Sequence, residues 1–196
     1  MRKNFFESNS YFIDEKVNIL DFENCYKVYD EKGDSIGSIK QNLSKLQVLR
    51  TLVFDKRMLP FVLEIKNSDG QLEASISRGW TFWMPKITIK NAEGIAIGTI
   101  KQKFNLFQPT FKLFNTEEVL VGEIKGDLLA WNFKICDASN KEIGTISKKW
   151  AGVFKEIFTS ADKYNVKMDS NYSNMGNRML ILSCAITIDM VLKERK

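Results

Sequence analysis

The chain of 196 residues is long enough for one domain with a sizeable core, and its 44% apolar and 27% charged content excludes a disordered polymer. It contains no histidine, which excludes the commonest general base, the usual catalytic triads and most zinc sites. With 29 basic and 24 acidic side chains the net charge is +5, a mild excess that permits attraction to an anionic lipid surface without demanding it. Nucleic acid is not expected as a partner.

The amino terminus, MRKNFFESNSYFIDEKV, begins basic but has no apolar core, so a secretory signal is not expected. The three cysteines, Cys25, Cys136 and Cys184, form no CxxC pair and lie in apolar stretches, which suits a reducing, cytoplasmic setting. Three prolines and no Gly/Ser tract leave no linker, and 1–196 reads as one domain. Alternating residues predict a first pair of strands around Tyr11–Val17 and Cys25–Asp30.

Five stretches then share one pattern: YKVYDEKGDSIGSIKQ, LEIKNSDGQLEASIS, ITIKNAEGIAIGTIKQ, FKLFNTEEVLVGEIKG and FKICDASNKEIGTISKK. Each is an alternating run, a polar turn, and a second run in which a small residue stands two places before Ile. The small residues Gly37, Ala74, Gly98, Gly122 and Gly144 are separated by 37, 24, 24 and 22 positions, the span of a β-hairpin and its connection. Alternation turns Val28, Ile65, Ile89, Leu113 and Ile135 inward, and Lys27, Glu64, Thr88, Lys112 and Lys134 outward. Ser38, Thr99, Glu123 and Thr145 take the outer face of the second strands. The small residues are expected to make room for a bulky central object, in preference to marking β-bulges.

Between and after the hairpins, SKLQVLRTLVFDKRML and AGVFKEIF carry helical spacing, and DKYNVKMD, Asp162–Asp169, reads as a last strand. About a dozen antiparallel strands predict a mainly β fold closed into a barrel, too wide for its own side chains to fill. The carboxyl-terminal run from Met179 to Leu192 covers roughly 21 Å as a helix, short of the roughly 30 Å of a hydrocarbon core. It also contains Asp189. It therefore predicts a buried central helix over 175–193, capped by Ser173 or Asn174. No convergent carboxylate pair and no Gly-rich phosphate loop is evident. No enzyme activity, cofactor or small-molecule substrate is expected, and the oligomeric state is unassigned.

The stretch EIGTISKKWAGVFKEIFTSADKY, continuing into the apolar terminal run, resembles the phospholipid scramblase family and, more broadly, the LURP-one-related and tubby-like superfamily. LPFVLEIKNSDGQ, IGTIKQ and QPTFKLFN match in the same order, and the resemblance covers about Lys27 to Glu194. It implies a twelve-stranded barrel around a carboxyl-terminal helix, and calcium-promoted, energy-independent movement of phospholipid between leaflets. After Phe158-Thr159 the family's calcium segment is acidic. This chain keeps Asp162, a remnant, but has Ser160, Lys163 and Asn171 at ligand places, so no metal site is assigned. The family's cysteine-rich, acyl-bearing stretch is replaced by RGWTFWMPKI.

The candidate lipid-facing residues are therefore Trp80, Phe82 and Trp83, with at least one ring outward, together with Lys40, Lys101 and Lys125, which recur at one repeat position on the outer face, and Lys148 and Lys149 nearby. The expected role is peripheral binding of anionic phospholipid or phosphoinositide at a membrane surface. The alternatives are calcium-dependent transbilayer transport with an inserted terminal helix, and a protein-interaction module without a lipid role.

Overall fold

The computed structural model describes residues 5–16, 25–41, 58–81, 86–103, 108–127, 132–147 and 163–193. A single 3-10 turn, Phe5–Glu7, leads into β1 (Ser10–Lys16), β2 (Cys25–Tyr29), β3 (Ser35–Gln41) and β4 (Phe61–Asn67). Then follow β5 (Leu72–Arg78), β6 (Lys86–Asn91), β7 (Ala96–Lys103) and β8 (Thr110–Asn115). The last strands are β9 (Leu120–Gly126), β10 (Asn132–Asp137), β11 (Glu142–Ser147) and β12 (Lys163–Met168), before the helix α1, Met175–Lys193. Each strand pairs antiparallel with its sequence neighbour, and β1 pairs with both β2 and β12, closing a twelve-stranded barrel. Closure removes the free edges that an open sheet of this length would expose. The predicted helical stretch 44–59 lies outside the described residues except for Met58 and Leu59, and 151–158 lies wholly outside them.

Alternation positions the core as expected. Val28, Ile65, Ile89, Leu113 and Ile135 are fully buried, while their chain neighbours on the outer face remain in contact with solvent. The small residues, however, have a different reason for being small. In all five hairpins the register slips by one residue beside the small position, at Val28/Tyr29, Ile65/Lys66, Ile89/Lys90, Leu113/Phe114 and Ile135/Cys136. Each is a β-bulge, in which two residues oppose one and the bulged strand bends more sharply.

A Cβ built at Gly37, Gly98 or Gly144 would run into the backbone carbonyl oxygen of Lys66, Phe114 or Lys167 on the following strand. At Gly122 it would meet the Cys136 oxygen at 2.5 Å. Only at Gly98 does the helix also crowd the site, with the Leu180 methyls at 2.9 Å, while at Gly37 the Phe5 ring stands at 2.8 Å. The expected close approach of a central object is met at Gly98 alone; at Gly37, Gly122 and Gly144 the first atom met is a neighbouring strand's carbonyl oxygen, and a bulge adjoins all five places. Ala74, fully buried at the second of them, carries a Cβ. The bulge also explains why Ile36, Ile97, Val121 and Ile143, which strict alternation would turn outward, pack against the core.

Five near-identical turns tip the hairpins. An Asx residue opens each (Asp30, Asn67, Asn91, Asn115, Asp137), and its carbonyl accepts the N–H of the residue three places on. Its side-chain oxygen also accepts the N–H four places on, for example that of Val119 onto Asn115 at 2.9 Å. The fourth turn residue has a positive φ: Gly33, Gly70 and Gly94, then Glu118 at 58° and Asn140 at 66°. Three-residue loops of this type, a type I turn closed by a left-handed residue, match the twist of paired strands.

α1 occupies the barrel interior. Leu180 to Ile188 are all buried, and the helix packs on β5, β7, β8 and the 3-10 turn. Asn174 is the cap: its Oδ1 accepts the Asn177 N–H at 3.0 Å. One turn later, buried Arg178 donates through Nε to the Phe6 carbonyl at 2.9 Å and through Nη1 to the Tyr172 carbonyl at 2.9 Å. Its Nη2 donates to the Ser8 carbonyl and to Asn9 Oδ1. One guanidinium therefore fastens the helix start to the amino-terminal segment, and it does so through neutral oxygens.

Deeper in, the Thr187 hydroxyl donates to the Ser183 carbonyl at 2.8 Å. The Ser183 hydroxyl, fully buried, finds no hydrogen-bond partner among the described residues. An unmet hydroxyl of this kind costs about 1–3 kcal/mol. Replacing Ser183 by alanine is expected to raise stability by about 1 kcal/mol, read as a higher midpoint in urea with an unchanged slope.

Candidate functional site

The recurring outer lysines occupy the same kind of place but different surroundings. Lys101 lies directly opposite Lys86 on β6 and Lys112 on β8, giving three like charges side by side on adjacent strands. Such a row is destabilising unless it is neutralised. Glu118, leaning back from the β8–β9 turn, accepts from Lys101 and from Lys86, the latter at 2.9 Å. Lys101 also stands 4.6 Å above the Phe114 ring.

Glu123 takes Lys112 at 3.1 Å and Lys125 at 3.2 Å, and Lys125 donates to Asn140 Oδ1 at 2.7 Å. On the next strand Lys134 meets Glu142 at 3.2 Å. Hydrogen bonds from Lys101 and Lys86 hold the Glu118 carboxyl below its ordinary pKa. For Glu123, partial burial pushes upward, but the hydrogen bonds and charges of Lys112 and Lys125 outweigh it and leave the pKa lowered. Exposed pairs like these contribute little each. Their effect here is local: on the wall from β6 to β10, Lys86, Lys101, Lys112, Lys125 and Lys134 each face one of three glutamates, while Lys90 and Lys103 are exposed without such a pair among the described residues.

Lys40, near the end of β3, is exposed and opposite Glu64. Lys148 and Lys149 lie outside the described residues, as do Phe82 and Trp83. Trp80 follows β5 and is 43% exposed, so one ring of the aromatic cluster does reach the surface. Beside it in sequence, buried Arg78 donates twice to the Leu59 carbonyl, at 3.1 and 2.8 Å, and lies over the Phe61 ring at 4.7 Å.

A groove of about 690 Å³ runs along the β9–β11 side, bordered by Lys125, Lys134, Asn132, Thr145 and Ser147 over a floor that includes Phe133 and Ile146. Asp127 and Glu142 line it as well, so the groove carries two carboxylates beside its two ammonium groups and shows no preference for an anion. Sequence periodicity gave no sign of this groove, because it arises from the pairing of three strands.

Calcium, implied by the resemblance, does not fit the described part of its segment. Lys163 begins β12, buried and in register with Asp14. Asn171 is exposed, and its backbone N–H donates to Asp169 Oδ1 at 2.9 Å. An ammonium where a carboxylate is wanted opposes a hard dication. Asp162 and Ser160 lie outside the described residues. Among the described residues no group of three or more His, Cys, Asp or Glu could hold a metal ion. Cys136 and Cys184 are buried, and burial pushes the Cys184 thiol well above its usual pKa, so it is an inert core residue under native conditions.

No curated protein and no solved structure matches the chain significantly. A family model described as Scramblase matches residues 13–195, from β1 through the far end of α1. That match spans nearly the whole barrel and its central helix: the chain belongs to the scramblase family.

Proposed function

We propose that this scramblase-related protein binds anionic phospholipid peripherally, through the outside of its barrel and without catalysis. The observation that carries the reading is the enclosure of α1, buried from Leu180 to Ile188 and fastened at its start by Arg178. A helix held in this way presents no apolar face to a bilayer, so contact with lipid falls to the outer surface. Among the described residues no helix is long and apolar enough to cross a membrane. Family membership supports phospholipid as the partner class, and the net charge of +5 supports an anionic one.

Co-sedimentation with vesicles tests the reading. The chain is expected to pellet with phosphatidylserine or phosphoinositide vesicles at physiological salt, to release as salt rises, and to ignore phosphatidylcholine alone. Failure to pellet with either anionic vesicle removes the lipid role and favours a protein-interaction module. The competing reading, calcium-promoted transbilayer movement, requires α1 to leave the barrel. In a dye-quenching assay on reconstituted vesicles, lipid flipping is expected to stay at the empty-vesicle rate with and without calcium. Acceleration by calcium would replace this proposal.

A further inference from the structure

The up-and-down order puts all five hairpin turns, 30–34, 67–71, 91–95, 115–119 and 137–141, at one end of the barrel. Those turns contain eight carboxylates and two lysines, a formal net of −6. The whole chain is +5, so everything outside the turns carries +11. The wall does not simply display that excess. The ammonium groups of Lys86 and Lys101 are held by Glu118, a turn residue, and that of Lys125 by Glu123 and by Asn140, also in a turn.

At the opposite end, where one hairpin passes to the next, Lys40 and Lys103 are exposed near the ends of β3 and β7. Trp80 (43% exposed) follows β5, and Val62 (38%) stands near the start of β4. A seven-residue strand such as β3 runs roughly 23 Å at about 3.3 Å per residue. The stagger of the strands does let one turn carboxylate, Glu118, reach Lys86 at the start of β6, but among the described residues neither Lys40 nor Lys103 is in an ion pair, so their charge at this end is not neutralised by contact. Ile95 and Val119 are also exposed, at 62% and 55%, but they lie within the acidic turns beside Glu93, Glu117 and Glu118. Docking through them would press carboxylates against anionic head groups.

Resting on the peripheral-binding reading above, we propose an orientation for it: the barrel meets an anionic bilayer end-on, through the rim bearing Lys40, Lys103, Val62 and Trp80, with its hairpin turns pointing away. Ammonium groups and an interfacial indole are the chemistry that a phospholipid head-group layer takes.

Two charge-matched variants of the full chain test it by co-sedimentation with phosphatidylserine/phosphatidylcholine vesicles. Lys40→Glu with Lys103→Glu is expected to weaken binding at least about tenfold. Lys32→Glu with Lys141→Glu, an identical change of net charge placed in the turns, is expected to leave binding within about twofold. The milder Lys40→Gln with Lys103→Gln should fall between, and covers the case in which the glutamates disturb folding. Equal losses for the rim and turn pairs, or a larger loss for the turn pair, overturn the orientation while leaving peripheral binding intact. Absence of wild-type binding overturns the underlying reading as well.

Discussion

Replacing Arg178 by methionine is expected to destabilise the protein by about 3–5 kcal/mol, the range found when one side of a buried charged network is removed. The guanidinium serves the carbonyls of Phe6, Ser8 and Tyr172 and the amide oxygen of Asn9, and each buried acceptor left unmet carries its own desolvation cost. The burial of Tyr11, whose hydroxyl pKa is pushed up by desolvation and partly restored by Arg178, belongs to the same assembly. Lysine keeps the charge but lacks the planar fork, so Arg178→Lys should recover only part of the loss. Chemical denaturation of the three proteins checks this. Equal midpoints for wild type and Arg178→Met would mean that the helix start is held by something else.

The second large effect is expected at Gly98. Valine there brings a Cβ against the Phe114 carbonyl oxygen and to 2.9 Å from the Leu180 methyls. A backbone oxygen moves less cheaply than a side chain, so the cost should be about 3 kcal/mol, the upper end for overpacking. Gly122 and Gly144 separate the two explanations for the small residues. Their first contacts are the Cys136 and Lys167 oxygens, with no atom of α1 among the nearest three. If bulges set the requirement, Gly122→Ala and Gly144→Ala should each lower the urea midpoint as Gly98→Ala does. Loss at Gly98 alone would restore the helix as the reason.

These residues mark the boundary of what a linear reading can reach. Twelve strands and a central helix over 175–193 were legible because both rest on local periodicity, two in a strand and 3.6 in a helix. The cap narrowed from Ser173 or Asn174 to Asn174 only with the hydrogen bond in view. The bulges were weighed and set aside, since a small residue in a strand signals a bulge and a close approach alike, and the register slip that tells them apart is a relation between two strands. The turns came closer. An Asx residue at each tip was present in every quoted repeat, but its bonding shows only when the loop closes on itself.

Arg178 lies one residue before the apolar run of Met179 to Leu192, and its spacing does not mark it as a clamp. Its partners Phe6 and Ser8 are 172 and 170 residues away, beyond any pattern of spacing. For the lysines the recurrence was visible and the consequence was not. Lys101 and Lys125 share a repeat position, yet one is met by a turn glutamate and the other by a strand glutamate and a turn amide. Family membership supports the proposed partner class, while the charge of the turns, legible in the sequence, became informative once topology had gathered them at one end.

Peptide-resolved maleimide labelling of the three cysteines, with and without anionic vesicles, tests most directly whether α1 stays sheathed. Cys25 is partly exposed and Cys184 is wholly enclosed at the middle of the helix. The account predicts prompt labelling of Cys25, and labelling of Cys184 only at the rate of global unfolding, whether or not membrane is present. Labelling of Cys184 under native conditions at the pace of Cys25, or its release by vesicles, would contradict the account.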